Sequence, residues 1–181
     1  VKKMGLRHVV ITSVDRDDLK GDYGASIWAE TITQTKKVNK KCTVEVLTPD
    51  FKGDKFALKK VFDSCPDIFS HNVECVERIS KAVRAQADWQ RSLGVLKSSI
   101  NYGLRTKTGI MVGLGEQIEE VKHTMKQVVD LGVQIFTIGQ YLQPTKNHLP
   151  VKDYICKEQF EEYKEYGYSI GFKVVESGPL V

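Results

Sequence analysis

The run HVVITSVDRDDL, residues 8–19, joins two unlike halves. Val9, Val10 and Ile11 are β-branched and lack helical spacing, which predicts a strand buried on both faces, as in a covered parallel sheet. Directly after it stand Thr12, Ser13, Asp15, Arg16, Asp17 and Asp18, bringing hydroxyls, carboxylates and one guanidinium to the strand's end. In parallel α/β architectures ligands bind at the carboxyl ends of strands, so a polar knot has a use at that position. Asp17 and Asp18 have a second reading, as acids favouring the positive end of the following helix.

Five more segments repeat the design: TVEVLTPD (43–50), DIFSHNVE (67–74), TGIMVGLG (108–115), IFTIGQYL (135–142) and GFKVVESG (171–178). Between them lie apolar stripes at helical spacing: Val76, Ile79 and Val83; Trp89, Leu93 and Leu96; Ile118, Val121, Met125 and Val128. Each stripe predicts a helix packed on a sheet. Alternating strands and helices with right-handed crossovers give an open doubly wound sheet or a TIM-like barrel. Six strands fall short of an eight-fold barrel, so an α/β open sheet or partial barrel is expected. No linker or low-complexity tract interrupts the series, which predicts one domain over residues 1–181.

The strand ends gather chemistry. Besides the first, they carry Thr48, Pro49 and Asp50; His71, Asn72 and Glu74; Gly113, Gly115 and Glu116; Gln140, Tyr141, Gln143 and Pro144; and Glu176, Ser177 and Gly178. Six polar ends around one rim predict a hydrogen-bonding cavity. Plainer readings stand beside this one. His71 is either functional or a satisfied core histidine, Glu116 either functional or a first-turn helix acid, and Arg84 falls on a helical stretch where a solvated charge is ordinary. The glycines of GIMVGLGE serve a turn equally well, and that segment has neither a P-loop lysine nor a GxGxxG pattern. Spacing alone assembles no Ser–His–Asp or Cys–His set.

Composition narrows the classes. Apolar residues make up 41% and charged residues 28%, the balance of a chain that folds around a core. Lys and Arg exceed Asp and Glu by 27 to 23, too small an excess to indicate nucleic acid. No apolar run approaches the roughly 20 residues of a membrane helix. The opening VKKMGLRHVV has no signal-peptide pattern and no initiating Met, as expected of a piece of a longer protein. Cys42, Cys65, Cys75 and Cys156 show no CxxC or CxxxCxxC spacing. They read as small apolar residues in a reducing compartment, not as a disulfide framework or metal ligands.

The words at the strand ends carry a family resemblance. ITSVDRDDL, VEVLTPDFKGD, HNVE, VRAQADWQRSLGVLK, GIMVGLGE, TIGQYLQPTKNHLPV and SGPLV resemble the lipoyl synthase family, in that family's order and across essentially all 181 residues. The resemblance implies a radical S-adenosylmethionine (radical SAM) enzyme on a partial TIM-like (β/α) barrel of about six parallel strands, truncated here at both ends. It implies a sulfurtransferase that inserts sulfur at C6 and C8 of an octanoyl group on a lysine of a lipoyl-carrier protein. The cofactors implied are S-adenosylmethionine and two 4Fe–4S clusters. Implied partners are the H protein of glycine cleavage, the lipoyl domains of 2-oxoacid dehydrogenases and an electron donor such as ferredoxin or flavodoxin, with no nucleic acid and no membrane. The implied location is the cytoplasm in a bacterium, or the plastid or mitochondrial matrix in a eukaryote.

By the same resemblance, Thr12, Ser13 and Asp15 are candidates for the methionyl amino group, and Arg84 for the methionyl carboxylate. Asn72 and Glu74 are placed near the sulfonium and ribose. Gly113 and Glu116, with Gly109 and Met111, match the pattern GxIxGxxE near the adenosine. Gln140 is a further S-adenosylmethionine candidate, and His71, Tyr141 and Gln143 are substrate-pocket candidates. The family's cluster cysteines and its RSSY word have no counterpart here, so this stretch alone is expected to hold no cluster and to be inactive. The family's DGGA stands here as Asp22, Tyr23, Gly24 and Ala25, and its HNVET as HNVEC with Cys75. Two other classes stay open: a lyase or isomerase working without S-adenosylmethionine through Asp15, His71 and Glu116, and a non-catalytic binding remnant.

Overall fold

The computed structural model describes residues 1–86 and 88–181. Six strands, β1 (His8–Thr12), β2 (Thr43–Leu47), β3 (Ile68–Ser70), β4 (Thr106–Val112), β5 (Ile135–Gln140) and β6 (Val174–Ser177), pair in parallel and in sequence order. Helices α1 (Ala25–Val38), α2 (Lys55–Asp63), α3 (Ser80–Val83), α4 (Trp89–Asn101), α5 (Ile118–Leu131) and α6 (Lys157–Ile170) lie between them. Strand order decides between the two architectures. A doubly wound sheet reverses its order at a switch point and carries helices on both faces. Here the order runs straight through, so right-handed crossovers put the helices on one face. The result is a partial (β/α) barrel with β1 and β6 as open edges.

Alternate strand residues build the core on the helical side. Val44, Val46 and Phe69 pack with Ile32, Leu58, Val61 and Phe62. Ile110, Val112, Phe136, Ile138 and Val175 pack with Leu96, Val121, Met125, Val128 and Phe160. Full burial of such a side chain stabilises by about 1.5–3 kcal/mol. The opposite, inner face is partly polar. Lys107 Nζ lies 2.7 Å from Glu45 Oε1, and His8 Nε2 lies 3.5 Å from Glu45 Oε2.

Three local expectations change. β1 is not buried on both faces: His8, Val10 and Thr12 are exposed, while Val9 and Ile11 are partly buried against the helices. An edge strand of an open barrel has one neighbour and an uncovered inner face. Val76, Ile79 and Val83 do not form one helix, because a 3₁₀ turn, Glu77–Ile79, runs into the four-residue α3. Ile118 opens α5 but stays 42% exposed, so the buried stripe begins at Val121. Among the described residues no helix is long and apolar enough to cross a membrane.

Candidate functional site

The loops at the carboxyl ends of the strands hold two neighbouring cavities that share Arg84. The first, about 510 Å³, is lined by Asp15, Asp17, Asp50, Lys52, Arg84 and Arg91, with Ala85 and Gln86. Its charges pair across loops: Asp17 with Lys52 at 3.0 Å, Asp50 with Arg91 at 2.9 Å, and Asp15 with Arg84 at 3.4 Å. The longest of the three belongs to the arginine that also faces the second cavity. That cavity, about 460 Å³, is lined by Glu74, Val83, Arg84, Met111, Tyr141 and the exposed segment from Leu142 to Pro150.

Glu74 is the most constrained of these residues. Its φ is +71°, a left-handed conformation that costs a non-glycine residue roughly 1–2 kcal/mol. Backbone bonds hold it there, with its N–H donating to Gly109 (3.1 Å) and its carbonyl accepting from Met111 (2.8 Å). Burial pushes its carboxyl above the usual glutamate range, and the Asp15 charge adds to that. Arg84 and Asn72 oppose it. Strain at a cavity wall is characteristic of functional positions. Asn72 lies over Gly109, with its Oδ1 3.3 Å from where a Cβ would stand, and a Cβ at Gly109 would also meet the Thr137 hydroxyl.

Gly113, Glu116 and Gln140 line neither cavity; they build the rim. Glu116 is not a first-turn acid of α5, whose N-cap is Gln117 paired reciprocally with Glu120. Its carboxylate turns back into the loop, accepting from Gly113 N at 2.6 Å and Leu114 N at 2.9 Å. Gly113 has φ +100°, and a Cβ there would strike Gln140 Nε2 and the Asp153 carbonyl. The Gln140 amide is fully used, donating to the Tyr141 and Asp153 carbonyls and accepting from Ile155 N. Together they fasten the segment before α6 onto the rim. Tyr141 hydroxyl donates to the Leu149 carbonyl, and Gln143 donates to that of His148. Both close the loop that walls the second cavity.

The remaining sequence candidates lie elsewhere. Thr12 and Ser13 line a separate groove of about 210 Å³ between β1 and α1. His71 reaches neither cavity. It is 2% exposed, with Nδ1 3.0 Å from the Thr48 carbonyl and Nε2 3.0 Å from Ser92 Oγ, and burial lowers its pKa. It is a satisfied histidine joining β2 to α4. Asp17 and Asp18 do not start α1; Asp18 pairs with Arg16, and Asp17 with Lys52. The acid at that helix end is Asp22, accepting from Gly24 N, Ser26 N and Ser26 Oγ and paired with Lys60, contacts that hold its pKa down at about 2. The macrodipole acts only within the first turn, and α1 begins at Ala25.

Lys52 and Arg91 were not among the sequence's candidates, and Asp50 was read only as a strand-end residue, although the structure puts all three on the wall of the first cavity. Arg91 carried a readable signal. A cation in the first turn of a helix opposes the dipole, so it needs an external anion, and Asp50 is that anion.

The paired charges suit a zwitterion. A ligand with a carboxylate and an ammonium finds a guanidinium in Arg84 and carboxylates in Asp15 and Glu74 around one wall. That donor set fits the amino-acid end of S-adenosylmethionine. The cysteines do not fit an iron–sulfur cluster. Cys42 and Cys75 are buried, Cys65 and Cys156 are exposed, and burial pushes the Cys75 thiol up to about 12. Among the described residues no three His, Cys, Asp or Glu side chains are grouped to hold a metal ion.

Comparison with known proteins agrees with the architecture. The sequence profile of the Radical SAM superfamily matches residues 1–128. Over its full length the chain is 55% identical to a lipoyl synthase of Rubrobacter xylanophilus and 49% identical to one of Christiangramia forsetii. It is 50% identical to a mitochondrial lipoyl synthase of Nematostella vectensis. It spans 57% of the first relative's length and 62% of each of the others. Among solved structures, Streptococcus suis SuiB bound to S-adenosylmethionine superposes on 94% of the chain with TM-score 0.71 at 8% identity, covering 39% of SuiB. Methylornithine synthase (PylB) superposes on 96% with TM-score 0.61 at 11% identity, covering 57% of that protein. These structural likenesses concern the fold. With the profile spanning more than two thirds of its residues and the strand order of a partial barrel, the chain belongs to the radical SAM superfamily.

Proposed function

We propose that the chain is the S-adenosylmethionine-binding core of a lipoyl synthase, which inserts two sulfur atoms at C6 and C8 of an octanoyl group held on a carrier-protein lysine. One observation carries this reading: half-identity to lipoyl synthases extends over the entire chain in relatives as distant as Rubrobacter and Nematostella. Bound here and given one electron by the reductant, S-adenosylmethionine would supply the radical chemistry that removes hydrogen from the acyl chain. This chain's residues bind and orient it. Arg84 holds the methionyl carboxylate, Asp15 the ammonium, and Glu74 with Asn72 the ribose side. The loop from Tyr141 to Pro150 excludes water from the same wall. We assign both 4Fe–4S clusters to the part of the relatives' length that this chain does not span. Partners in this reading are octanoylated H protein or lipoyl domains, and a ferredoxin or flavodoxin as reductant.

The acid–base lyase reading loses two of its three residues and keeps only Asp15 at a cavity. His71 is buried and satisfied, and both Glu116 oxygens are occupied by the loop backbone. The test uses the complete protein, reconstituted with iron and sulfide, given reductant, S-adenosylmethionine and an octanoyl-lysine carrier. Mass spectrometry is expected to show a gain of two sulfur atoms on the carrier. Production of 5′-deoxyadenosine with an unchanged octanoyl group would overturn the reading in favour of another radical SAM reaction. Arg84→Ala is expected to weaken S-adenosylmethionine binding roughly tenfold or more, by calorimetry, because it removes a charge-assisted contact.

A further inference from the structure

The amino ends of the strands carry a different charge pattern from the rim. Arg7 precedes β1, Lys40 and Lys41 precede β2, Arg105 precedes β4 and Lys173 precedes β6. Parallel strands start at one end of a sheet, so these five side chains share one end of the barrel. All five are exposed, and among the described residues none has a carboxylate within salt-bridge distance. The acid at the start of β3, Asp67, is already engaged, pairing with Lys36 and accepting from Val44 N. Asp63 and Asp130, near the ends of α2 and α5, are tied to Lys59 and Lys126.

The backbone under three of the five is held by cross-strand bonds. The Arg7 carbonyl accepts from Thr43 N, the Arg105 carbonyl from Phe69 N, and Lys173 N donates to the Gln134 carbonyl. These bonds fix where each of the three residues stands at the barrel end, while the exposed side chains are ordered only when a partner binds. With strands about 4.8 Å apart, β1 to β6 spans roughly 24 Å, the breadth of a standard protein interface patch. Between Arg105 and Lys173 lies a cavity of about 560 Å³, walled by Gly103, Leu104, Gln134, Ile135 and Val174. Among the described residues no carboxylate lies within salt-bridge distance of its two cations.

We propose that this end of the barrel docks an acidic face of a folded protein partner, with one carboxylate side chain anchored between Arg105 and Lys173. The site lies at the opposite end of the strands from the rim, so the partner binds without occupying the cavities around Arg84. The exposed aromatic beside the array, Tyr102, is tied through its hydroxyl to Asp63 and packs against Phe62, so it does not offer a free ring of the kind that stacks nucleobases. Nor do the five cations lie on an apolar helix face of the kind that enters a membrane surface. A protein surface is the remaining fit.

Fluorescently labelled poly-L-glutamate is the probe, titrated into the complete protein and followed by anisotropy over a series of salt concentrations. The double variant Arg105→Glu/Lys173→Glu is expected to lose roughly tenfold in affinity and to show a shallower salt dependence. Lys55→Glu/Lys157→Glu, which makes the same charge change at the first residues of α2 and α6, is expected to bind as the parent does. Equal loss in both variants would overturn the proposal, because net charge alone would then explain binding. Tighter, Arg105- and Lys173-dependent binding to duplex DNA or to phosphatidylserine vesicles would overturn it in favour of another class of partner. If the double variant fails to fold, as judged by circular dichroism, Lys173→Ala replaces it with a smaller expected loss. Unchanged poly-L-glutamate affinity in that variant would equally overturn the proposal.

Discussion

The two ends of the barrel use arginine and lysine in opposite ways. In the charged rim cavity Lys52, Arg84 and Arg91 each meet a carboxylate from another loop. In the cavity at the strand starts Arg105 and Lys173 meet none among the described residues. The rim is therefore pre-assembled by its own ion pairs and by bent backbone, while the opposite end is assembled by backbone alone and leaves its charges free. A ligand at the rim has to compete with existing pairs, and the weakest competitor is the 3.4 Å contact between Arg84 and Asp15. A ligand at the other end competes only with water and salt.

The largest predicted effect falls on the rim's backbone. Gly113→Ala forces a side chain into φ +100° and drives a Cβ into Gln140 and the Asp153 carbonyl. A loss of about 2–4 kcal/mol in urea denaturation is expected, since strain and overpacking add. A change below about 1 kcal/mol would mean that the segment at Asp153 yields, and that the rim is not as fixed as its bonds imply.

Arg91→Ala comes next. It leaves Asp50, whose side chain is only 16% exposed, without its counter-charge and with the Lys52 backbone N–H as its hydrogen-bond donor. Leaving a largely buried carboxylate without its counter-charge costs about 1–3 kcal/mol, and Asp50→Asn in the same background should restore part of it. A double-mutant cycle by denaturation checks the coupling.

A pH profile separates Glu74 from its neighbours. Burial raises its carboxyl above the ordinary 4.5, so the folded state binds more protons than the unfolded one in the window above that value. Stability therefore falls as pH rises through that window, because charging a buried group is penalised. Glu74→Gln cannot charge, so its stability relative to the parent is expected to increase as pH rises above 4.5. Parallel profiles for the two proteins would show that Arg84 fully offsets the burial.

The fold was legible because parallel strands write themselves as short β-branched runs ending in polar loops, and all six were read so. What failed was local. β1 looked doubly buried because apolar content says nothing about edges; its exposure follows from having one neighbour. Asp22 was overlooked for Asp17 and Asp18 because the helix starts later than the end of the apolar run suggests. The site was legible only as a rim. Asp15, Glu74, Arg84 and Tyr141 do meet at the two cavities, but spacing could not tell a cavity wall from its scaffold. Glu116 and Gln140 bond inward to backbone, and His71 faces a helix, because each choice depends on a partner far away in sequence. Tyr23 is a related case. It holds φ +54° where the family word has glycine, and its ring is partly buried with the core beside α1.

The smallest expected effect is the one that most sharpens the contrast between the two ends. Arg105→Ala and Lys173→Ala remove cations with no partner, so stability should move by no more than about 0.5 kcal/mol, the range of surface substitutions. Arg91→Ala, a cation of similar chemistry at the other end, is expected to lose several times that. The two sets differ in what each substitution leaves behind: a stranded carboxylate at the rim, and solvent at the strand starts. If Arg105→Ala or Lys173→Ala destabilised by more than about 1 kcal/mol, the cations would be holding the barrel end together, and their freedom to meet an outside partner would be gone.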